Sequence, residues 1–189
     1  MKENKILQLT EIDNKENSSK NILLGEWCKK YEEVREKNKY KSFVHKHHWM
    51  NKSKRSKDLI YIENLYEKLI VHLKNALNDF HEVKKDELYW RVIVGPWLLR
   101  YITVLFDKWE TISNFFSENS HNFKINSFFN NTHNLRVFEN WPAFLENAAY
   151  RSEWNHFIYV TIIENYYLDK VQINKINSDL GSFKKPIKN

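Results

Sequence analysis

Apolar residues in this chain gather into a few dense stretches separated by long polar ones. The densest is Asp86 to Glu110, DELYWRVIVGPWLLRYITVLFDKWE. It is apolar almost all round, the pattern of a helix buried on several sides. Gly95-Pro96 interrupts it. Proline lacks an amide donor and clashes with the turn before it, so the helix kinks or restarts there. A proline inside a regular helix costs about 3 kcal/mol, so Pro96→Ala would stabilise the fold only if the helix ran straight through residues 90 to 100; a break is expected there instead. Arg91 and Arg100 fall on opposite faces of this helix, and each needs an anionic partner or a cleft.

The clearest amphipathic helix is Asp58 to Phe80. Leu59, Ile62, Tyr66, Leu69, Leu73, Leu77 and Phe80 recur every three or four residues and form one stripe. Asp58 or Ser56 can cap its start. The turn HEVKK joins it to the central helix, giving a long antiparallel helical hairpin with a Gly-Pro kink, with helix continuing to about Phe116.

Asn21 to Leu24, NILL, is a short apolar run stopped by Gly25, which fits a buried strand feeding a tight turn. Tyr40 to Trp49 alternates over its first half and reads as a second strand, and Lys29 to Lys37 as a charged helix. Ser117 to Asn134 reads as a loop with a short strand near Ile125 to Phe129. Leu135 to Tyr150 and Ser152 to Tyr167 read as two further helices, Trp141-Pro142 opening the first. Residues 1–20 are a polar tail or weak first element, 21–170 a domain, and 171–189 a polar segment without an apolar closing element. The class that results is helix-rich α/β, with a small parallel sheet that starts at NILL.

Composition agrees. A chain of 189 residues with 42% hydrophobic and 15% aromatic content suits one domain with a real core. Six glycines and prolines are too few for a loop-rich all-β fold. The lone Cys28 excludes an internal disulfide and suits a reducing cytoplasm. No secretory signal is evident, and Val92 to Phe106, broken by Arg100, is too short to span a bilayer. The expected location is therefore cytoplasmic, with peripheral contact at the inner membrane open to it. The net charge of +6 is uneven: Lys29 to Lys57 holds eleven Lys or Arg against three Glu. Such a segment can meet phosphate on a nucleotide, a lipid carrier or a membrane, or can be a solvated surface. It lacks the aromatic interleaving of a single-strand nucleic-acid platform, and no nucleic-acid partner is expected.

Glu26, at the carboxyl end of the first strand, is a candidate general base, and Gly25 and Trp27 flank it where open sheets collect ligands. Asn78 and His81, three apart, share a helix side; they can orient an imidazole for proton transfer or cap the helix end, and the cap is favoured. His45, His47 and His48 suggest a metal, but on a strand His48 points away from the other two and no Cys pair or second His pair completes a zinc set. Substrate contact or a basic-loop role is favoured for them, and no metal is assigned. Cys28 lacks partners for thiol catalysis. With neither a Walker loop nor a glycine-rich dinucleotide turn, no cofactor is expected.

LLGEWC (Leu23 to Cys28), HHW (His47 to Trp49), LYEKL (Leu65 to Leu69), ALNDFH (Ala76 to His81) and LYWRVIVGPWLLRYITVLFDKW (Leu88 to Trp109) occur in that order. This set resembles the N-terminal region of a family assigned as transferases, from bacterial O-antigen and surface-polysaccharide loci, first catalogued in Leptospira. It covers Asn21 to Trp109 well and the Trp154-Asn155 region more loosely. The resemblance implies transfer of a glycosyl group from a nucleotide sugar to a glycan or lipid-linked acceptor. Family members are longer, so it also implies the N-terminal portion of a two-domain transferase, inactive as an isolated fragment. After HHW the family tends to place acidic residues where this chain has MNKSKRSK. Glu26 or His81 would take the acceptor proton. Gly25, Trp27, His47, His48, Trp49, Asn78, Arg91 and Trp97 would contact substrate, Arg91 and the basic segment holding phosphate. Gly25, Glu26, Trp27, His81 and Arg91 are expected in one cleft, with Glu26 pairing Arg91. The alternative is a non-catalytic module that docks a partner or an anionic membrane through the basic segment.

Overall fold

The structure, a computed structural model, describes residues 5–13, 21–29, 43–120, 122–128, 138 and 140–176. The chain divides into a sheet unit, Met1–Lys46 with Ile112–Asn189, and a helical unit, His47–Thr111.

The sheet unit holds five strands: β1 (Lys5–Gln8), β2 (Asn21–Leu23), β3 (Phe43–Val44), β4 (Phe123–Ser127) and β5 (Val171–Lys175). Their order is β3-β2-β1-β4-β5 and every neighbouring pair is parallel. The chain therefore reverses its direction of sheet growth between β1 and β4, the kind of switch point at which open α/β sheets bind ligands. Parallel sheets are stable only when covered. Here Leu7, Leu9, Ile22 and Leu24 pack with Phe115 and Phe116 and with Tyr159, Val160 and Ile163 in one buried cluster. The last three come from α5 (Ser152–Tyr166), which follows α4 (Trp141–Tyr150). Asn140 caps α4 by accepting the Ala143 amide at 2.9 Å.

The helix-rich α/β class with a small parallel sheet is what the sequence predicts, but the strand set differs. Lys5–Gln8, assigned to the tail, is the central strand; four residues are too few to show a period. Val171–Lys175, read as polar tail, is an edge strand whose Val171 and Ile173 pack on the core while Gln172 and Lys175 face water. Of the predicted strand 40–49, residues 40–42 lie outside the described residues, Phe43–Val44 is strand, and a 3-10 turn at His48–Met50 replaces the far end. The β4 strand lies two residues earlier than expected. The predicted helix 29–37 lies outside the described residues beyond Lys29, as do Phe129, most of 135–139 and 177–189.

The helical unit is built from α1 (Lys52–Phe80), α2 (Glu87–Ile93) and the greater part of α3 (Gly95–Glu118). Asn51, rather than Ser56 or Asp58, caps α1 by accepting the Lys54 amide at 3.1 Å. Ser56 instead donates to the Lys52 carbonyl, and Asp58 is buried. The buried face of α1 is also rotated from the predicted stripe. Ile62, Leu65, Tyr66, Ile70 and Leu73 pack against Leu98, Ile102 and Trp97, while Leu59, Leu69 and Phe80 are exposed. Asn78 ties the hairpin turn: its amide bonds both backbone groups of Lys85 and accepts from Trp90 Nε1 at 2.9 Å.

The expected break is present, one residue before Gly95. α2 ends at Ile93, Val94 is a turn, and α3 starts at Gly95. Gly95 permits a close approach, since a Cβ there would sit 2.5 Å from the Tyr66 hydroxyl. The element is not buried all round, because α2 turns only one face, through Trp90, to α1. Val92 is 71% and Leu88 68% exposed. Pro96 is the second residue of α3, where amides have no intrahelical partner and proline fits. The condition under which Pro96→Ala would stabilise the fold, a helix running straight through, is therefore not met. Pro96→Ala should shift unfolding free energy by less than about 1 kcal/mol, well under the 3 kcal/mol of an interior site, as read by urea denaturation.

Candidate functional site

At the carboxyl end of β1 the backbone leaves the ladder and its buried polar groups need partners. Asp13 supplies one: its Oδ2 accepts the amides of Leu9 at 2.8 Å and Thr10 at 3.4 Å. The Thr10 hydroxyl meets His156 Nδ1 at 3.2 Å, and that nitrogen lies 3.5 Å from Asp13 Oδ2. His156, on α5, is buried, and its ring lies 5.2 Å from that of Phe128, which follows β4. Thr10, Asp13 and His156 thus form a polar floor at the switch point. Sequence reasoning missed all three. The only trace was an acid soon after an apolar run, KILQLTEID, in a stretch read as a tail.

Beside this floor, β2 ends in Gly25 and a 3-10 turn, Glu26–Cys28. Trp27 folds back over Gly25, where a Cβ would lie 2.3 Å from the ring. Its Nε1 donates to the Leu9 carbonyl at 3.0 Å, and its ring stacks on Tyr159 with centroids 6.2 Å apart and 11° between planes. Trp27 as a residue is still 37% exposed, which makes it a fixed, part-exposed aromatic platform. Glu26 is exposed and pairs with Lys29 at 2.6 Å. The Cys28 thiol is buried and donates to the Gln8 carbonyl at 3.2 Å; burial pushes its pKa up to about 12, so at neutral pH it is not a nucleophile.

The helical unit carries a second constellation, where the 3-10 turn His48–Met50 replaces the predicted strand. Period-2 alternation no longer applies, and the rings of His47 and His48 stack with centroids 4.5 Å apart. Both meet one oxygen of Asp107 on α3, His47 Nε2 at 2.8 Å and His48 Nε2 at 3.2 Å. Burial works against ionisation of Asp107. Hydrogen bonds from the two imidazoles and the charge of Lys108 outweigh it and hold the carboxyl well below its usual range. Trp49 Nε1 donates to Asp58 Oδ2 at 3.0 Å. Lys54 Nζ bridges Asp58, at 3.1 Å, and Glu110, at 2.6 Å. Asp107 and Glu110 were not singled out from sequence, and Asp58 only as a helix cap, because acids inside amphipathic helices read as solvated. His45 belongs to the sheet unit, where its amide extends the β2–β3 ladder by bonding the Leu23 carbonyl at 2.9 Å.

The other predicted residues are held by local contacts. Arg91 pairs with Glu67 and Glu87, whose hydrogen bonds keep it firmly charged, and its guanidinium lies over Tyr66. These two glutamates fill the role expected of Glu26. His81 ends α1, its amide bonding the Leu77 carbonyl at 3.0 Å and its ring stacking on Trp90. Trp97 stacks on Tyr101 and packs in the helical core. Among the described residues, two groups have metal-compatible donor sets, His47–His48–Asp107 and His48–Asp58–Glu110. No described helix is long and apolar enough to cross a membrane.

Gly25→Ala should displace the Trp27 ring and cost about 1–3 kcal/mol by overpacking; an unchanged indole N–H resonance would refute the contact. Asp107→Asn should cost about 1.5–3 kcal/mol through loss of charge-assisted bonds. Because the folded pKa of Asp107 is depressed, its contribution is complete above the unfolded value near 3.9 and is lost as pH falls towards the folded value. The gap between wild type and variant in urea melts should therefore be full at pH 7 and shrink below about pH 4.

No curated protein and no solved structure matches the chain. The profile of the LIC12162 family transferase matches residues 5–187, which takes in both constellations and extends well past the motifs legible by eye. The chain belongs to the LIC12162 family of transferases.

Proposed function

We propose that this chain serves glycosyl transfer in surface-polysaccharide assembly, moving a sugar from a nucleotide-sugar donor to a hydroxyl of a glycan or lipid-linked acceptor. The observation that carries this reading is Trp27, fixed and part-exposed at the carboxyl edge of a parallel sheet beside its switch point. An indole held so, with one face on Tyr159, suits stacking of a sugar ring or a nucleobase. In the reaction the acceptor oxygen bonds the anomeric carbon as the bond to the donor phosphate breaks. The acceptor proton goes to a base, and the nucleotide leaves. Glu26, next to the platform and exposed, is the base candidate that the sheet unit offers; Lys29 at its side is a cation within reach of phosphate. On this reading the chain works in the cytoplasm, against the inner membrane where a lipid-linked acceptor is held.

A second reading, docking on an anionic membrane, draws on Lys52, Arg55 and Lys57, all exposed in the first turns of α1. Calorimetric titration of the chain with UDP-, GDP- and CMP-sugars distinguishes the two. Glycosyl transfer predicts binding of one donor class, weakened at least tenfold in Trp27→Ala and largely restored in Trp27→Phe, with the melting temperature of each variant recorded alongside. Binding of none, together with co-sedimentation on vesicles containing phosphatidylglycerol, would replace it with the docking reading.

A further inference from the structure

The imidazoles of the HHW turn have their tautomers fixed by their surroundings. His47 Nδ1 accepts the Trp49 amide at 3.2 Å, so the ring proton sits on Nε2 and is donated to Asp107. That nitrogen is a donor and is closed to a metal, which removes His47 from the first donor set. Asp107, ionised and accepting only, also takes its bond from His48 Nε2. A neutral His48 then carries its lone pair on Nδ1.

His48 Nδ1 is the unusual atom. The side chain is 0% exposed, and Nδ1 makes no hydrogen bond among the described residues. It faces Asp58 Oδ2 at 3.5 Å, so a lone pair looks at a carboxylate oxygen. Such an arrangement is repulsive unless a positive centre lies between them. One ring nitrogen of His48, one oxygen of Asp58 and one of Glu110 lie within 4.8 Å of one another, and Nδ1 is the nitrogen that faces Asp58.

We propose that His48 Nδ1, Asp58 and Glu110 form a site for a divalent transition cation of the Zn²⁺ or Co²⁺ type. One imidazole and two carboxylates suit such ions, whose ligands stand about 2.0–2.2 Å away. Side-chain shifts of about 1 Å would draw the three atoms to that distance. The surroundings of a metal site are already in place. Asp107 on the far nitrogen of His48 gives a carboxylate–histidine–metal arrangement, and Trp49 Nε1 orients Asp58. Lys54 is the cation that now neutralises the two carboxylates. It stands in the first turn of α1, where the helix dipole disfavours positive charge, and it is part-exposed, so it can withdraw to water when a metal enters. The site lies within the helical unit and does not depend on the glycosyl-transfer reading.

The experiment titrates the chelator-treated full chain with Co²⁺, read by visible absorption, and with Zn²⁺ by calorimetry. One equivalent should bind. Lys54→Met, which removes the competing cation, should bind at least tenfold more tightly. Glu110→Gln, at the most open ligand, should bind at least tenfold more weakly with its helical circular dichroism intact, and Asp58→Asn should lose binding. In the metal-free chain, ¹⁵N shifts should show His48 Nδ1 unprotonated. No binding by either wild type or Lys54→Met, binding indifferent to Glu110→Gln and Asp58→Asn, or a protonated Nδ1 donating to Asp58 would each overturn the proposal.

Discussion

A parallel strand in the middle of a sheet ends where its ladder ends, and the buried amides and carbonyls beyond must find other partners. In the sheet unit that requirement falls on β1. Leu9 and Thr10 turn to Asp13, the Gln8 carbonyl takes the Leu24 amide and the Cys28 thiol, and the Leu9 carbonyl takes the Trp27 indole. The turn after β2 is therefore pinned by the end of β1. Gly25 stands at that point because a ring must lie across its Cα. The exposed edge of Trp27 is a by-product of satisfying a backbone carbonyl, and the aromatic platform is rigid for the same reason.

The helical unit solves a different problem, several charges on helices that also build a core. Asp107 is used twice through a single oxygen, and Lys54 closes the pair Asp58 and Glu110. Each buried carboxylate has a donor, and each donor is fixed by something further out, such as Asn51 at the helix start or the Trp49 amide on His47. Buried charge is tolerated here because the network is nearly complete.

What the sequence made legible were features with a period or a punctuation mark. The long hairpin, the stop at Gly25 and the interruption near Gly95-Pro96 are of that kind, as is the ordered set of motifs that carries the family. Short strands were not legible: KILQ is one residue longer than NIL, yet polar flanks hid it, and it is the centre of the sheet. The HHW turn misled for a physical reason. Alternation along a strand separates His47 from His48, whereas the 3-10 turn stacks them. Partners from distant sequence, Asp107 for the imidazoles and Glu67 for Arg91, leave no local trace because either could equally face water.

The register of the sheet has a consequence for the birth of the protein. Lys5 pairs with Phe123, so one side of the central strand has no neighbour until the whole helical unit has been synthesised. At ribosomal rates of about 5–20 residues per second, that edge waits for roughly 6–24 s. During this interval its unpaired backbone is a template for strangers, and the nascent chain is open to aggregation or to chaperone capture. The helical hairpin, rich in local contacts, can form while the strand waits. The order of assembly is thus written into the strand order: β2 first, helices next, and the far half of the sheet last.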